Sequence, residues 1–186
     1  MKRLILPLVC VCACLQMAPS LAQEFPDLPA PTKEHEFLQK FAGKWTVDQE
    51  ARMSPDQPPV KGTGSIESHM LGKFWVINEF ESSMMGMTAT GIQTVGYDSA
   101  KKMYVGTWVD SMTETLWHYE GSVDESGMIL TLSADGPHMS KPGETAKYRD
   151  IYEFKSKDEI AVFSKVLSDD GEWVTFMQGT ATRVKK

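Results

Sequence analysis

Cysteine is nearly absent from this chain of 186 residues. Its three cysteines, Cys10, Cys12 and Cys14, all fall within an amino-terminal segment that we interpret as a leader. The rest of the chain can form no disulfide and no thiolate metal site. The folded state must therefore be held together by an apolar core, and a chain of this length can bury one as a single domain.

Clusters of basic residues and long apolar runs are also missing. The chain has 19 Lys and Arg residues against 25 Asp and Glu residues, for a net charge of −6 at pH 7. Loss of a leader containing Lys2 and Arg3 makes the remainder more acidic still. This balance argues against nucleic acid and anionic membrane surfaces as partners. After the leader no apolar run is long enough for a transmembrane helix, so we predict no membrane span.

Established catalytic and metal-binding motifs are absent as well. The sequence contains no Gly-x-Ser-x-Gly, no His-Glu-x-x-His and no phosphate-binding glycine loop. Residues 99–102 match Ser-x-x-Lys, but they fall in a predicted polar hairpin turn. We therefore predict no catalytic residue, no metal and no cofactor. Two minor alternatives remain: a haem held by His69 or His118, and a Cu(I) site at the methionines of residues 84–87.

The first 22 residues have the features of an export signal. A basic start precedes an apolar stretch over residues 4–15, which is too short to cross a bilayer. Small residues then precede Gln23, and we expect cleavage before it. The alternative is lipid attachment at Cys14. We expect an exported protein, either periplasmic or secreted.

Two segments precede the predicted sheet. Residues 23–32 contain three prolines and are interpreted as an extended arm, because proline at this density prevents a regular helix. The apolar spacing in residues 33–41 predicts a short helix, and Gly43 marks its end. Its apolar face consists of Phe37, Leu38 and Phe41. We assign residues 33–186 to one domain.

From residue 45 onward the hydrophobic pattern changes to a period of two, which is typical of β-strands. Ten strands are predicted, over residues 45–53, 62–70, 74–82, 88–97, 103–110, 114–123, 128–134, 148–155, 160–167 and 173–183. Short local connections favour an all-β fold, a single antiparallel up-and-down barrel of about ten strands, with a β-sandwich as the alternative. A barrel of ten strands is wide enough to keep an interior cavity.

The start of the predicted sheet resembles the calycin pattern, in which a short helix precedes Gly-x-Trp on the first strand. Here Gly43 and Trp45 occupy those positions, and Arg183 stands on the last strand. In lipocalins the tryptophan crosses the barrel floor and a basic residue packs over it. The resemblance implies that Gly43, Trp45 and Arg183 close the barrel.

The chain is more closely similar to a bacterial family of exported proteins called domain of unknown function 1579. The similarity covers about residues 34–182 and rests on three motifs besides the Gly-Lys-Trp sequence. These are Gly96-Tyr97-Asp98, Tyr104, and Trp108 to Met112. The resemblance implies a lipocalin-like barrel, but it implies no established activity, ligand or catalytic residue.

Aromatic residues alternate with small ones along the sixth predicted strand, as expected for the wall of a cavity, and we expect the third to sixth strands to form that wall. The sequence leaves open which alternate set faces inward. The candidate ligand-binding residues are Phe74, Phe80, Trp108, Trp117, Tyr119, Met85 and Met87. The methionines would form a lip at the barrel mouth.

The function that we expect is binding of a small apolar or amphipathic molecule inside the barrel. One alternative is an enzyme with a polar site in the interior, where Glu79, Asp98 and Asp110 could supply an acid pair only if folding brings them together. A polar cluster with shifted pKa values would favour this alternative. The other is a structural or interaction module of the cell envelope. The oligomeric state is left open.

Overall fold

The structure is a computed structural model that describes residues 29–52 and 58–185. Contacts divide the chain into two units, and the one described here comprises Pro31–Lys186. The predicted leader and residues 23–28 of the predicted arm lie outside the described residues. In the part of the chain that is described, no helix has both the length and the apolar character needed to cross a membrane.

Ten antiparallel strands close into a barrel. They are β1 (Gly43–Ala51), β2 (Val60–Leu71), β3 (Trp75–Met84), β4 (Met87–Asp98), β5 (Met103–Asp110), β6 (Trp117–Val123), β7 (Ile129–Pro137), β8 (Thr145–Ser156), β9 (Glu159–Leu167) and β10 (Trp173–Arg183). Each strand pairs with its neighbours in sequence, and β1 pairs with β10 to close the cylinder. Closure leaves no free sheet edge. The up-and-down barrel is confirmed, and the sandwich alternative is wrong.

The helix α1 (Lys33–Leu38) covers one end of the barrel, which we call the floor end. Its first turn is fixed by the Thr32 backbone N–H, which donates to His35 Nδ1 at 3.0 Å. The helix ends three residues before the predicted end at Phe41. Lys40, Phe41 and Ala42 instead donate to carbonyls three residues earlier, a tighter winding that is common at helix ends.

Two connections between strands differ from the prediction. Strand β6 begins at Trp117 rather than at residue 114, because the Asp110 carboxylate accepts the backbone N–H groups of Met112 and Thr113 and folds the chain into a turn. Strands β7 and β8 extend farther than predicted, and Pro137 pairs with Thr145. The long connection predicted there therefore shrinks to residues 138–144.

Inward side chains are fully buried at one end of the barrel and partly exposed at the other. At the floor end, inward side chains are buried, and those at most 2 % exposed include Trp45, Val76, Val95, Leu130, Leu132, Ile160 and Ala181. We call this the floor half. Toward the opposite end, inward side chains become partly exposed, and they include Phe80, Ser82, Met84, Trp108 and Trp117. We call this the mouth half.

A single strand shows the same change along its length. On β3, Val76 and Asn78 are 0 % and 1 % exposed, whereas Phe80 and Ser82, the next two inward residues, are partly exposed. All four face the same side because side chains alternate along a strand. Solvent therefore reaches the interior from the mouth end.

Candidate ligand site in the barrel interior

The floor end is closed by the three residues that the calycin resemblance assigns to closure. The Trp45 side chain is 1 % exposed, and its indole Nε1 donates to the Phe41 carbonyl at 2.8 Å. The Arg183 guanidinium carbon lies 3.9 Å from the centroid of the Trp45 ring. Trp45 and Arg183 are direct partners in the β1–β10 ladder, so the register of closure brings cation and indole together.

Arg183 also ties α1 to the barrel. Its Nη1 and Nη2 donate to the carbonyls of Ala42 and Lys40 at 2.6 and 2.9 Å, and its Nε donates to the Lys157 carbonyl at 2.9 Å. At Gly43 the backbone φ is +129°, and a Cβ would lie 2.6 Å from Arg183 Nη1. Glycine is therefore required there for both the backbone conformation and the space.

Strand register decides which alternate set of residues on β5 and β6 faces inward. Trp108 is the direct partner of Gln93, which is 1 % exposed inside the barrel. Trp117 and Tyr119 on β6 pair with Trp108 and Gly106 on β5 and face the same side. The inward residues of these strands are Tyr104, Gly106, Trp108, Asp110, Trp117, Tyr119 and Gly121.

Both tryptophans lie against glycines on the inner wall of the mouth half. A Cβ added at Gly91 would overlap the Trp108 indole, and a Cβ added at Gly136 would overlap the Trp117 indole. The Phe80 ring meets Trp108 edge-on, with centroids 5.1 Å apart. The absence of side chains at the two glycines lets the indoles lie close to the wall, and both indoles stay partly exposed.

The other candidate residues lie at opposite ends of the barrel. Phe74 belongs to the floor end, where its ring is 5.1 Å from the ring of the buried His35. Met85 and Met87 lie at the β3–β4 turn of the mouth end and are 66 % and 56 % exposed. The structure therefore places Phe80, Trp108, Trp117 and Tyr119 in the interior, the methionines at its rim, and Phe74 apart from both.

A chain of polar side chains crosses the interior between the two halves. Asn78 Nδ2 donates to Gln93 Oε1 at 3.0 Å, and Gln93 Nε2 donates to the Tyr152 hydroxyl at 2.9 Å. Both amides are 1 % exposed, and Tyr152 is 5 % exposed. Burial raises the pKa of the Tyr152 hydroxyl, which keeps it protonated.

Asp150 places a carboxylate in the same region. Its Oδ1 accepts a hydrogen bond from the Ser164 hydroxyl at 2.6 Å, and its Oδ2 accepts one from the Tyr119 hydroxyl. Burial raises the Asp150 pKa, although both hydrogen bonds oppose the shift. Burial also raises the Tyr119 pKa, and the neighbouring Asp150 charge adds to that shift.

The sequence does contain a signal for these interior polar groups, in the alternation of residues along β3 and β8. Asn78 alternates with Val76 and Phe80, and Asp150 alternates with two tyrosines, so a period of two places these polar groups on the apolar inner face. A polar residue in the apolar phase of a strand is a candidate interior group.

A small cavity of about 10 Å³ lies in the floor half, next to the polar chain. Its wall includes Trp45, Ser68, Asn78 and Phe80. Ser68 Oγ and Asn78 Oδ1 are buried and make no hydrogen bond. Unpaired buried polar atoms are costly in free energy, so they mark a place where a partner is expected.

A wide depression of about 840 Å³ lies on the outside of the barrel, across β9, β10, β1 and β2. Its lining mixes Asp48, Glu50 and Lys61 with Gln178 and Phe163. These groups do not converge on one chemistry. The interior is the more specific candidate site.

The geometry supports neither a haem site at the two candidate histidines nor an interior acid pair. His69 and His118 are exposed on the outer wall, so neither is placed to hold a haem inside the barrel. Asp98 lies in the β4–β5 hairpin at the floor end, Asp110 at the mouth end, and Glu79 on the outer face, so they form no acid pair. Among the described residues, no three His, Cys, Asp or Glu side chains are grouped to hold a metal.

Sequence comparison assigns the chain to a family. The family described as "Protein of unknown function (DUF1579)" matches residues 30–183. The chain belongs to this family. A search of curated proteins gives no match.

Solved structures of similar fold share little sequence with this DUF1579 protein. An S-type phycobiliprotein lyase, CPES from Guillardia theta, is 14 % identical, with a TM-score of 0.54 over 82 % of this chain and 93 % of that one. Rv2717c from M. tuberculosis is 11 % identical, with a TM-score of 0.58 over 84 % of this chain and 100 % of that one. At these identities the likeness shows the barrel fold alone.

Proposed function

We propose that the protein binds a small apolar or amphipathic molecule in the mouth half of the barrel. The observation that carries the proposal is the change from buried to partly exposed inward side chains along single strands, with Phe80, Trp108 and Trp117 at the exposed end. Aromatic rings that are held at the wall and reached by solvent offer apolar area to a ligand.

The residues at the rim and in the interior both favour an apolar or amphipathic ligand. Met85 and Met87 are exposed at the mouth end, where flexible thioether side chains can cover an apolar ligand. Deeper in the barrel, the interior polar side chains, among them Asn78 and Ser164, supply a few hydrogen-bond donors and acceptors among apolar neighbours. A mostly apolar lining with a few polar groups is typical of small-molecule sites.

Binding can be tested with N-phenylnaphthylamine, a neutral apolar dye that fluoresces when it leaves water. We expect a saturable rise in dye fluorescence with the wild-type protein. Ser82→Phe adds a ring inside the mouth half, and Ser83→Phe adds the same ring at the next, exposed position. The first variant should weaken dye binding at least about fivefold, because adding a bulky side chain to a packed interior costs about 1–3 kcal/mol.

The matched pair separates binding in the lumen from binding to the surface. Equal dye affinity in both serine variants would reject the lumen as the site. No saturable binding by the wild-type protein would reject an open apolar lumen for this class of molecule.

An enzyme is the second candidate, and the interior polar chain is the observation that favours it. Asp150 is a partly buried carboxylate with a raised pKa, and it accepts a hydrogen bond from the Tyr119 hydroxyl. Such a pair can exchange a proton with a substrate held in the lumen. Extracts of the native host can be incubated with wild-type and Asp150→Asn protein and compared by mass spectrometry. A compound consumed only by the wild type supports catalysis, and identical extracts reject it.

We propose also that the protein is exported, on the basis of the basic and apolar pattern of residues 1–22. Mass spectrometry of the mature amino terminus tests this. A chain beginning at Gln23 supports a periplasmic or secreted protein, and a diacylated Cys14 supports a lipid anchor. A cytoplasmic chain that retains the leader would contradict export.

A further inference from the structure

The cavity in the floor half has two polar atoms without hydrogen-bond partners. Ser68 and Asn78 are 5 % and 1 % exposed, and they face each other as direct partners in the β2–β3 ladder. Both line the cavity of about 10 Å³, and neither Ser68 Oγ nor Asn78 Oδ1 makes a hydrogen bond. A space of this size holds one water molecule or one small polar group of a ligand.

The hydrogen-bonding capacity of these two atoms determines which chemical group of a ligand fits the cavity. Asn78 Nδ2 is engaged with Gln93, so the Asn78 carbonyl oxygen is the atom left to accept a hydrogen bond. The Ser68 hydroxyl can donate or accept. A hydroxyl group satisfies both because it can donate one hydrogen bond and accept another.

Charged groups fit this space poorly. A carboxylate only accepts hydrogen bonds, and it would lie against the Asn78 oxygen. An ammonium would bury a full charge, and no anionic side chain lines this cavity. A neutral alcohol is therefore favoured over an acid or an amine.

The cavity lies directly below the proposed binding lumen. Asn78, Phe80 and Ser82 are successive inward residues of β3, in order from the floor half to the mouth half. The Phe80 ring lines the small cavity and also packs edge-on against Trp108 in the mouth half. Phe80 therefore borders both the cavity and the mouth half, so a ligand that reaches the cavity from the mouth must displace its ring.

We propose that the Ser68–Asn78 cavity receives the hydroxyl group of an amphipathic alcohol whose apolar part lies beside Phe80, Trp108 and Trp117. The inference rests on the proposed binding function and names the class of molecule bound. It assigns Ser68 and Asn78 the role of selecting the alcohol group.

The test uses two competitors against N-phenylnaphthylamine: decanol, and decyl methyl ether, which lacks the hydroxyl hydrogen. We expect wild-type protein to prefer decanol by about tenfold, the ratio that corresponds to one buried hydrogen bond. Ser68→Ala should reduce the ratio of the two competitors' affinities to about threefold or less. Ser65→Ala serves as the matched control, because Ser65 is exposed on the outer face of the same strand.

A stability measurement distinguishes this role from a structural one. Because the Ser68 hydroxyl is unpaired, Ser68→Ala should leave the urea midpoint unchanged or raise it. A lowered midpoint together with a retained alcohol preference would overturn the assignment of Ser68.

The outcomes separate the two proposals. If the dye binds but the wild type shows no preference for decanol, the cavity holds only a buried water, and the alcohol proposal is overturned while lumen binding stands. If neither the dye nor decanol binds, both proposals fail.

Discussion

The two halves of the barrel interior use aromatic residues in opposite ways. In the floor half, Trp45 is buried between Arg183 and the core and is held by a hydrogen bond to the Phe41 carbonyl. In the mouth half, Trp108 and Trp117 lie against glycines and stay partly exposed. The first arrangement closes the barrel, whereas the second leaves aromatic surface accessible to solvent.

This contrast separates stability from function along the barrel axis. Substitutions in the floor half remove buried contacts and should lower the free energy of unfolding. Substitutions at the mouth should change binding with little effect on folding. The interior polar side chains, among them Asn78 and Ser164, lie at the boundary between the two halves. Substitutions there should change both stability and binding.

The largest loss of stability is expected from Trp45→Ala. The substitution removes a fully buried indole, its hydrogen bond and its contact with Arg183. We expect the free energy of unfolding to fall by about 3–5 kcal/mol. Urea unfolding measures the change, and an unaltered midpoint would contradict the closure of the floor by Trp45.

A smaller loss is expected from Gly43→Ala. The new Cβ would collide with Arg183 Nη1 at a backbone φ of +129°, and we expect a loss of at least about 2 kcal/mol. Gly72→Ala is the control, because Gly72 also has a positive φ but has open space around it. For Gly72→Ala the free energy of unfolding should fall by about 1 kcal/mol. Equal losses would show that the contact with Arg183 is unimportant.

At the boundary, Asp150 should make stability depend on pH. Its folded-state pKa is raised by burial, so the folded protein holds this proton to a higher pH than the unfolded chain does. The contribution of Asp150 to stability therefore falls as the pH rises from below its ordinary value of 3.8 through the folded-state pKa. Asp150→Asn lacks this titration.

Urea unfolding of the wild type and Asp150→Asn, measured between about pH 4 and pH 8, tests this sign. The free energy of unfolding of the variant should rise relative to that of the wild type as the pH increases. A difference that is constant over this range would show that Asp150 does not titrate with a raised pKa.

The smallest effect on stability is expected at the rim. Met85 is 66 % exposed, so Met85→Ser should change the free energy of unfolding by less than about 0.5 kcal/mol. The same substitution should weaken dye binding modestly if the methionine covers the ligand. A marked loss of stability would place Met85 in the folded core rather than at the rim.

The sequence predicted the strands well because alternation and turn residues are local signals. Strands β5 and β10 match their predicted bounds, and the other strands differ by a few residues at their ends. The error at the start of β6 arises from a local side-chain contact, because the Asp110 carboxylate accepts the backbone N–H groups two and three residues on and folds the chain into a turn.

The candidate site was only partly predictable. The period of two identified two alternate sets on β5 and β6, but only strand register selects the one containing Trp108 and Trp117. Phe74 was grouped with them although it lies at the opposite end from the rim methionines. The contact between Asp150 and Tyr119 joins residues 31 positions apart, and no local pattern encodes it.

Native mass spectrometry of the protein purified from its own host tests most directly whether the mouth half is a binding lumen. We expect wild-type and Ser83→Phe protein to show a mass above that of the polypeptide, and the added mass to be released by organic solvent. The added mass should be missing from Ser82→Phe protein. The mass of the polypeptide alone in all three proteins would contradict it.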